Sequence, residues 1–286
     1  MSRRHLLMLL ALAAIWGSSF MFIEIALRDL APSTLILLRM ASGAVALAIY
    51  VRLAGHSYAA LRPYLLPLAL LGLVNTAVPF FLIAWGQQYI DSGLAAIFNA
   101  SAPLFTAIFA IAYDQSQRVT GLRLAGVVLG FGGVLLLVGF ELSGSERAVA
   151  GALAVVLAAA CFGIGGLYAG RRFPGLPPSL VALGTLVWGT AYLAPLGLAQ
   201  ASMLGWEAFV SVLYLGVAAT GVAYLLYFGL IAGAGASKAI LVTYLVPSLA
   251  LVYGAVFLDE PVTALALTGL GLVLAGVALG TGTVKK

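Results

Sequence analysis

Ten runs of about twenty apolar residues, joined by connections too short to hold a soluble domain, bound what this chain can fold into. They cover residues 6–27, 33–51, 63–85, 92–112, 121–140, 148–170, 178–199, 207–228, 237–257 and 263–283. About 20 residues at 1.5 Å each cross the hydrocarbon layer of a bilayer as a helix. Inside that layer only helices and closed barrels satisfy their own backbone. Composition agrees, with 63% hydrophobic and 8% charged residues among 286, where a soluble domain carries roughly 25% charged. Mean hydropathy is +1.14. The expectation is an all-α integral membrane protein with ten transmembrane helices. The first run resembles a signal peptide but continues to Leu27 without a small-residue cleavage site, so it reads as a retained helix. The single Cys161 excludes an internal disulfide and reads as an apolar filler.

Charge sets the orientation. With the N-terminus inside, the inner loops and tails hold Arg3, Arg4, Arg52, Arg62, Arg118, Arg123, Arg171, Arg172, Lys238, Lys285 and Lys286, which is 11 of 14 basic residues. The outer loops hold only Arg28 and Arg147, and seven of nine acids lie outside. Lys and Arg in short loops mark the cytoplasmic side, so both termini are expected there. The basic residues flank apolar runs and do not cluster, which argues for membrane-edge charges and against a nucleic-acid partner.

Two stretches match. Residues 93–126 and 235–269 each carry a mid-helix proline, a polar turn about a dozen residues later, and then a glycine-studded run. Pro103 to Gly126 is 23 residues, and Pro247 to Gly269 is 22. The reading is a duplication, with residues 1–145 as one unit of five helices and 146–286 as the other. Five is odd, so the second unit enters the membrane from the opposite side. Inverted repeats of this kind hold substrate near the midplane between the halves of secondary transporters.

Pro103 and Pro247 lie about 15 Å from opposite ends of their runs. Each removes a helix hydrogen bond, freeing the carbonyls of Asn99 and Thr243. They read either as bends that hinge and line a cavity or as plain packing kinks. The fifth and tenth runs are rich in glycine and poor in polar side chains. Gly126 with Gly130 and Gly276 with Gly280 have close-packing spacing, which suits a scaffold.

Polar atoms inside the other runs mark a candidate substrate site. Trp16, Ser19, Phe20 and Glu24 fall on one slowly drifting stripe of the first helix. Asn75 and Pro79 in the third, Asn99 and Ser101 in the fourth, and Thr243, Tyr244 and Ser248 in the ninth join them. By pseudo-symmetry the sixth and eighth helices contribute Phe162 and Tyr214. Tyr89, Tyr168, Trp206 and Tyr227 sit near run ends and read as interface-belt residues. Glu24 has two readings. With Arg28 at i+4, and Arg39 within reach on the second helix, it forms a structural ion pair near the membrane edge; alternatively it couples transport to protons. The inferred cavity is neutral, aromatic, and lined by hydroxyls and amides.

WGSSF at 16–20, APSTLILLRMASGA at 31–44, the two prolines, and FLDEPVTALALTGLGLVLAGV at 257–277 together resemble the drug/metabolite transporter superfamily in its ten-helix EamA-type branch. The resemblance implies ten helices around a central cavity and export of amino acids, aromatic ones included, or other metabolites and dyes from bacteria. It implies a bacterial inner membrane location. DQSQ at 114–117 departs from the glutamate that the family's first-half turn usually carries. Related four-helix multidrug exporters bind cations and protons on a mid-depth carboxylate of the first helix; Trp16 and Gly17 occupy that depth here, so the resemblance does not extend to that exchange.

Other classes fit less well. Both histidines, His5 and His56, lie at the cytoplasmic edge, and GxSxG, HExxH and paired intramembrane Asp are missing from the sequence. Neither an enzyme nor a metal or other cofactor is expected. A nucleotide-sugar exchanger would need several cavity cations. A lipid-linked flippase, or an exporter of neutral or organic-cation drugs, is the alternative. The expected partners are a small-molecule substrate and the bilayer, with the chain a monomer or weak homo-oligomer.

Overall fold

A computed structural model of the chain describes residues 2–113, 121–141 and 145–280. The turn at 114–117, Arg118, and the terminal Lys285 and Lys286 lie outside the described residues. Ten apolar helices follow one another: α1 (Arg3–Leu27), α2 (Pro32–Leu53), α3 (Tyr58–Gly86), α4 (Ser92–Asn99 and Ala102–Tyr113), α5 (Leu122–Glu141), α6 (Glu146–Arg172), α7 (Pro178–Ala199), α8 (Trp206–Ala234), α9 (Val242–Phe257) and α10 (Ala264–Gly280). No strand occurs among the described residues. Among the described residues eight helices are long and apolar enough to cross a membrane, and α9 and α10 are shorter apolar helices. The outward surface is greasy. Leu66 and Leu135 leave 72% and 69% of their area exposed, as a lipid-facing wall requires. The chain is a multi-pass membrane protein.

Local chemistry sets the helix ends. Ser2 and Ser145 accept backbone N–H groups at the starts of α1 and α6, while Pro32 and Pro178 open α2 and α7, where a missing N–H costs nothing. Gly235, at φ 89°, ends α8 in a conformation that other residues avoid. Two helices carry wide π turns, Leu73–Ala77 in α3 and Tyr214–Val222 in α8.

The packing follows a pattern. α5 lies along α10, and α2 lies along α7. α1 packs against α8 and α9, while α6 packs against α3 and α4. The α5–α10 seam is built from the four glycines that the spacing singled out. A Cβ on Gly276 would run into the backbone of Gly130, and one on Gly126 into the backbone of Gly280. With no apolar solvent to be driven from, helices in lipid associate through such close van der Waals contact.

At the end where α1 finishes, the turn between α9 and α10 reaches across to α4. Glu260 accepts hydrogen bonds from the backbone N–H of Ser92 at 2.8 Å and of Gly93 at 3.0 Å. Asp91 occupies the N-cap position of α4, but its own side chain does not cap. A carboxylate at a helix N-terminus satisfies orphan donors and meets the positive end of the helix dipole. Partial burial and the neighbouring Glu260 carboxylate push the Asp91 carboxyl up. Replacing Glu260 by alanine is expected to cost about 1–2 kcal/mol. Thermal unfolding in detergent should record it as a Tm lowered by roughly 2–8 °C.

Candidate functional site

A cavity opens between α1, α2, α3, α4, α6, α8 and α9, in two lobes of about 350 Å³ and 500 Å³ that share Trp16, Asn99, Tyr227, Thr243 and Val246. Ser19, Phe20, Asn75 and Phe162 line the smaller lobe. Pro103, Pro247 and Thr106 line the larger one, which runs along α4 to Arg123 and Gly280. Seven of the ten expected substrate-site residues therefore share one space.

The wide turn of α8 organises the smaller lobe. A π turn leaves backbone carbonyls without their usual α-helical donors. The Trp16 indole N–H donates to the carbonyl of Ala219 at 3.1 Å, and the Thr220 hydroxyl donates to that of Leu215 at 2.8 Å. Trp16 is thereby pinned at the junction of the lobes, with its ring 5.4 Å from that of Tyr227. Phe80 and Phe162 meet edge to face at 5.6 Å.

Arg39 changes the character of this lobe. It is 3% exposed. Its Nε–H donates to Thr220 Oγ1 at 3.2 Å, and its guanidinium carbon lies 4.3 Å from the centre of the Phe80 ring. Among the described residues no carboxylate lies within ion-pair distance of Arg39 or of Arg28. The cavity is thus not neutral, and the Glu24–Arg28–Arg39 ion pair is not formed. Arg39 turns toward α8, and Arg28 is exposed at the end of α1. Glu24 keeps its Oε2 sealed from solvent with no hydrogen-bond partner.

Three expected lining residues lie elsewhere. The Tyr214 hydroxyl bonds Ser18 Oγ at 2.6 Å, and its ring sits 4.1 Å from that of Phe22, so it seals the α1–α8 seam. Tyr214 begins the π segment, and the altered pitch brings Thr220, Tyr224 and Tyr227 to the cavity in its place. Pro79 is buried beside Phe80, which takes the lining position. Tyr244 has a buried hydroxyl without a partner and does not line either lobe. Ser101 and Ser248 bond carbonyls of their own segments. Tyr227, expected at the interface, faces both lobes because α8 runs on to Ala234.

The two prolines differ. The chain breaks at Ala100–Ser101, so Pro103 sits in the first turn of a new helical segment. Pro247 is inside α9, and a short preceding helical segment, Ala236–Ala239, is separated from α9 by a break at Ile240–Leu241. Both line the larger lobe. Asn99 Oδ1, at the end of the first α4 segment, is buried without a donor.

The model of the EamA-like transporter family matches residues 3–139 and 149–281. The chain belongs to the EamA-like transporter family. Among its relatives are the uncharacterized transporter YoaV of Bacillus subtilis (strain 168), 23% identical with 97% of each chain covered, and the uncharacterized inner membrane transporter YedA of Escherichia coli (strain K12), 28% identical with 96% of this chain and 89% of the relative covered. A third, from Streptantibioticus cattleyicolor, is described as a probable terminal-alkyne amino-acid exporter; it is 29% identical, with 92% of this chain and 89% of the relative covered. One solved crystal structure superposes with a TM-score of 0.69 at 18% identity, covering 98% and 97% of the two chains, and so shares the fold. As an EamA-like membrane transporter, the chain needs a cavity that accepts a solute, and the two lobes are the candidate.

Proposed function

We propose that this transporter exports small metabolites, amino acids with aromatic side chains foremost, across the bacterial inner membrane by alternating access. One observation carries the reading: a buried guanidinium on an aromatic-lined cavity, with no carboxylate of the described protein to neutralise it. Burying a charge without a partner is costly, and a substrate carboxylate supplies the missing partner in bidentate form. The orphan oxygen of Asn99 and the amide of Asn75 offer polar contacts to an α-amino group. Phe80, Phe162 and Tyr227 offer faces to an aromatic ring. Pockets of some 300–1,000 Å³ hold ligands of this size. The exporter name carried by the Streptantibioticus relative agrees with an amino-acid substrate.

Residues 1–145 and 146–286 act in this reading as inverted repeats. Support comes from the exchange of roles between α1, which meets α8 and α9, and α6, which meets α3 and α4. The wide turns in α3 and α8, and the breaks in α4 and just before α9, also fall at corresponding helices of the two halves. The excess of Lys and Arg in the loops assigned to the inside supports a cytoplasmic position for both termini in this reading.

Counterflow in proteoliposomes loaded with unlabelled compound tests the substrate class. Labelled phenylalanine, tyrosine and tryptophan should accumulate, whereas phenethylamine, which lacks the carboxylate, should not. Uptake of organic cations with no uptake of any amino acid would overturn the proposal. So would scrambling of labelled lipid alone.

A further inference from the structure

We infer that Glu260 is a latch that holds this conformation shut at the end where α1 finishes, and that its release is the step by which that end opens. The family match falls in two halves, residues 3–139 and 149–281. Glu260 belongs to the second half. The backbone N–H groups that it binds, of Ser92 at 2.8 Å and Gly93 at 3.0 Å, belong to the first. The turn is shaped for this reach. Asp259, at φ 57°, is the one non-glycine residue with positive φ among the described residues. Asp tolerates that left-handed step better than most residues. After it the Glu260 N–H donates to the carbonyl of Gly254 at 3.1 Å. The carboxylate lies over the bare face of Gly254, where a Cβ would strike it and would stand 3.1 Å from Ser92 Oγ. A Cβ on Gly93 would meet Leu251 of α9 at 2.8 Å. Two glycines thus let α4 and α9 close on each other beneath the carboxylate.

Away from the latch the two helices part. The first segment of α4 packs along α9, whereas the second packs on α6. The larger lobe lies between them there, with Pro103, Thr106 and Ala107 on one wall and Thr243 and Pro247 on the other. It runs to the exposed Arg123 at the far end. The break at Ala100–Ser101 divides the packed part of α4 from the parted one. At the latch end Gln87 and Ser92 are buried. The chain is therefore shut at one end and open toward the other. Hydrogen bonds to an ionised carboxylate are roughly twice as strong as neutral ones, and these two exist only while α4 and α9 touch. An interaction present in one state and absent from the other biases the ratio of the two. That the second state opens this end rests on the alternating-access reading; the substrate class does not enter.

Double electron–electron resonance on the whole protein in nanodiscs, in a Cys161→Ala background and without solute, measures both ends. One label pair, at Gln88→Cys and Phe257→Cys, spans the latch end. A second, at Leu122→Cys and Leu241→Cys, spans the far end; all four positions are exposed. With Glu260 intact, one distance should dominate at each end. Glu260→Ala should raise the share of the opposite state roughly tenfold, as expected for the loss of a hydrogen bond to a charged group. The latch-end distance then lengthens and the far-end distance shortens. Gly254→Ala keeps Glu260 but fills its seat, should act in the same direction, and decides the matter if Glu260→Ala does not fold. A latch-end distance that lengthens while the far end stays unmoved would reduce Glu260 to a local cap and overturn the inference. Two populations whose ratio neither variant changes overturn the latch alone. One unchanging distance at each end in all three proteins overturns the latch and alternating access together.

Discussion

Arg39→Ala is expected to abolish counterflow of labelled aromatic amino acids while the protein stays folded. A desolvated charge pair that loses one partner costs about 2–5 kcal/mol, or roughly 30- to 5,000-fold in affinity. Stability should move the other way. Arg39 is buried with one hydrogen bond and one aromatic face and has no counter-ion among the described residues, so its removal relieves an uncompensated charge. A Tm that holds or rises, beside lost transport, separates a substrate contact from a structural prop. Arg39→Lys keeps the charge but not the planar fork that stacks on Phe80, and should recover only part of the rate. Wild-type rates in Arg39→Ala would remove the carboxylate from the recognition scheme.

Gly276→Leu is expected to prevent assembly. The new Cβ would meet the Cα and N of Gly130 and the carbonyl of Gly126, all backbone atoms that no rotamer change can move. Overpacking against side chains costs about 1–3 kcal/mol, and against backbone the α5–α10 seam must part. Fluorescence-detected size exclusion should show aggregate in place of a single peak. Gly271→Leu is the control, because a Cβ there meets nothing within 4 Å. Its profile should match wild type. A monodisperse Gly276→Leu protein of normal Tm would mean that the seam is not what joins the two helices.

The features readable from sequence were those governed by local spacing. Apolar run length found the helices, and the paired glycines found the α5–α10 seam. The stripe on α1 put Trp16, Ser19 and Phe20 on the cavity side. What escaped depends on distant partners or on helix pitch. Arg39 lies at the expected level of α2, but its partner Thr220 is 181 positions away, whereas the sequence reading paired it with Glu24 of the preceding helix. Glu260 and α4 are likewise separated by 168 positions at Ser92. Tyr227 looked terminal because hydropathy weakens over GAGAS at 233–237, although α8 extends to Ala234. The symmetry argument found Phe162, which follows a regular helix, and missed Tyr214, where a π turn begins.

Those π turns also set how the protein tolerates insertion and deletion. An i→i+5 turn accommodates a residue that an α-helix would not, as though one amino acid had been slipped into the count. Every side chain beyond it is rotated by about 100° from where an uninterrupted 3.6-residue period would carry it. In α3 the residues after that slip that face the cavity are Phe80 and Ile83, and in α8 they are Tyr224 and Tyr227. Removing one residue from 73–77 or 214–222 would leave hydropathy and span length almost untouched. It would nonetheless swing these side chains toward neighbouring helices and bring other faces to the cavity. The chamber is thus set by an angular phase along two helices, a quantity that apolar composition does not encode.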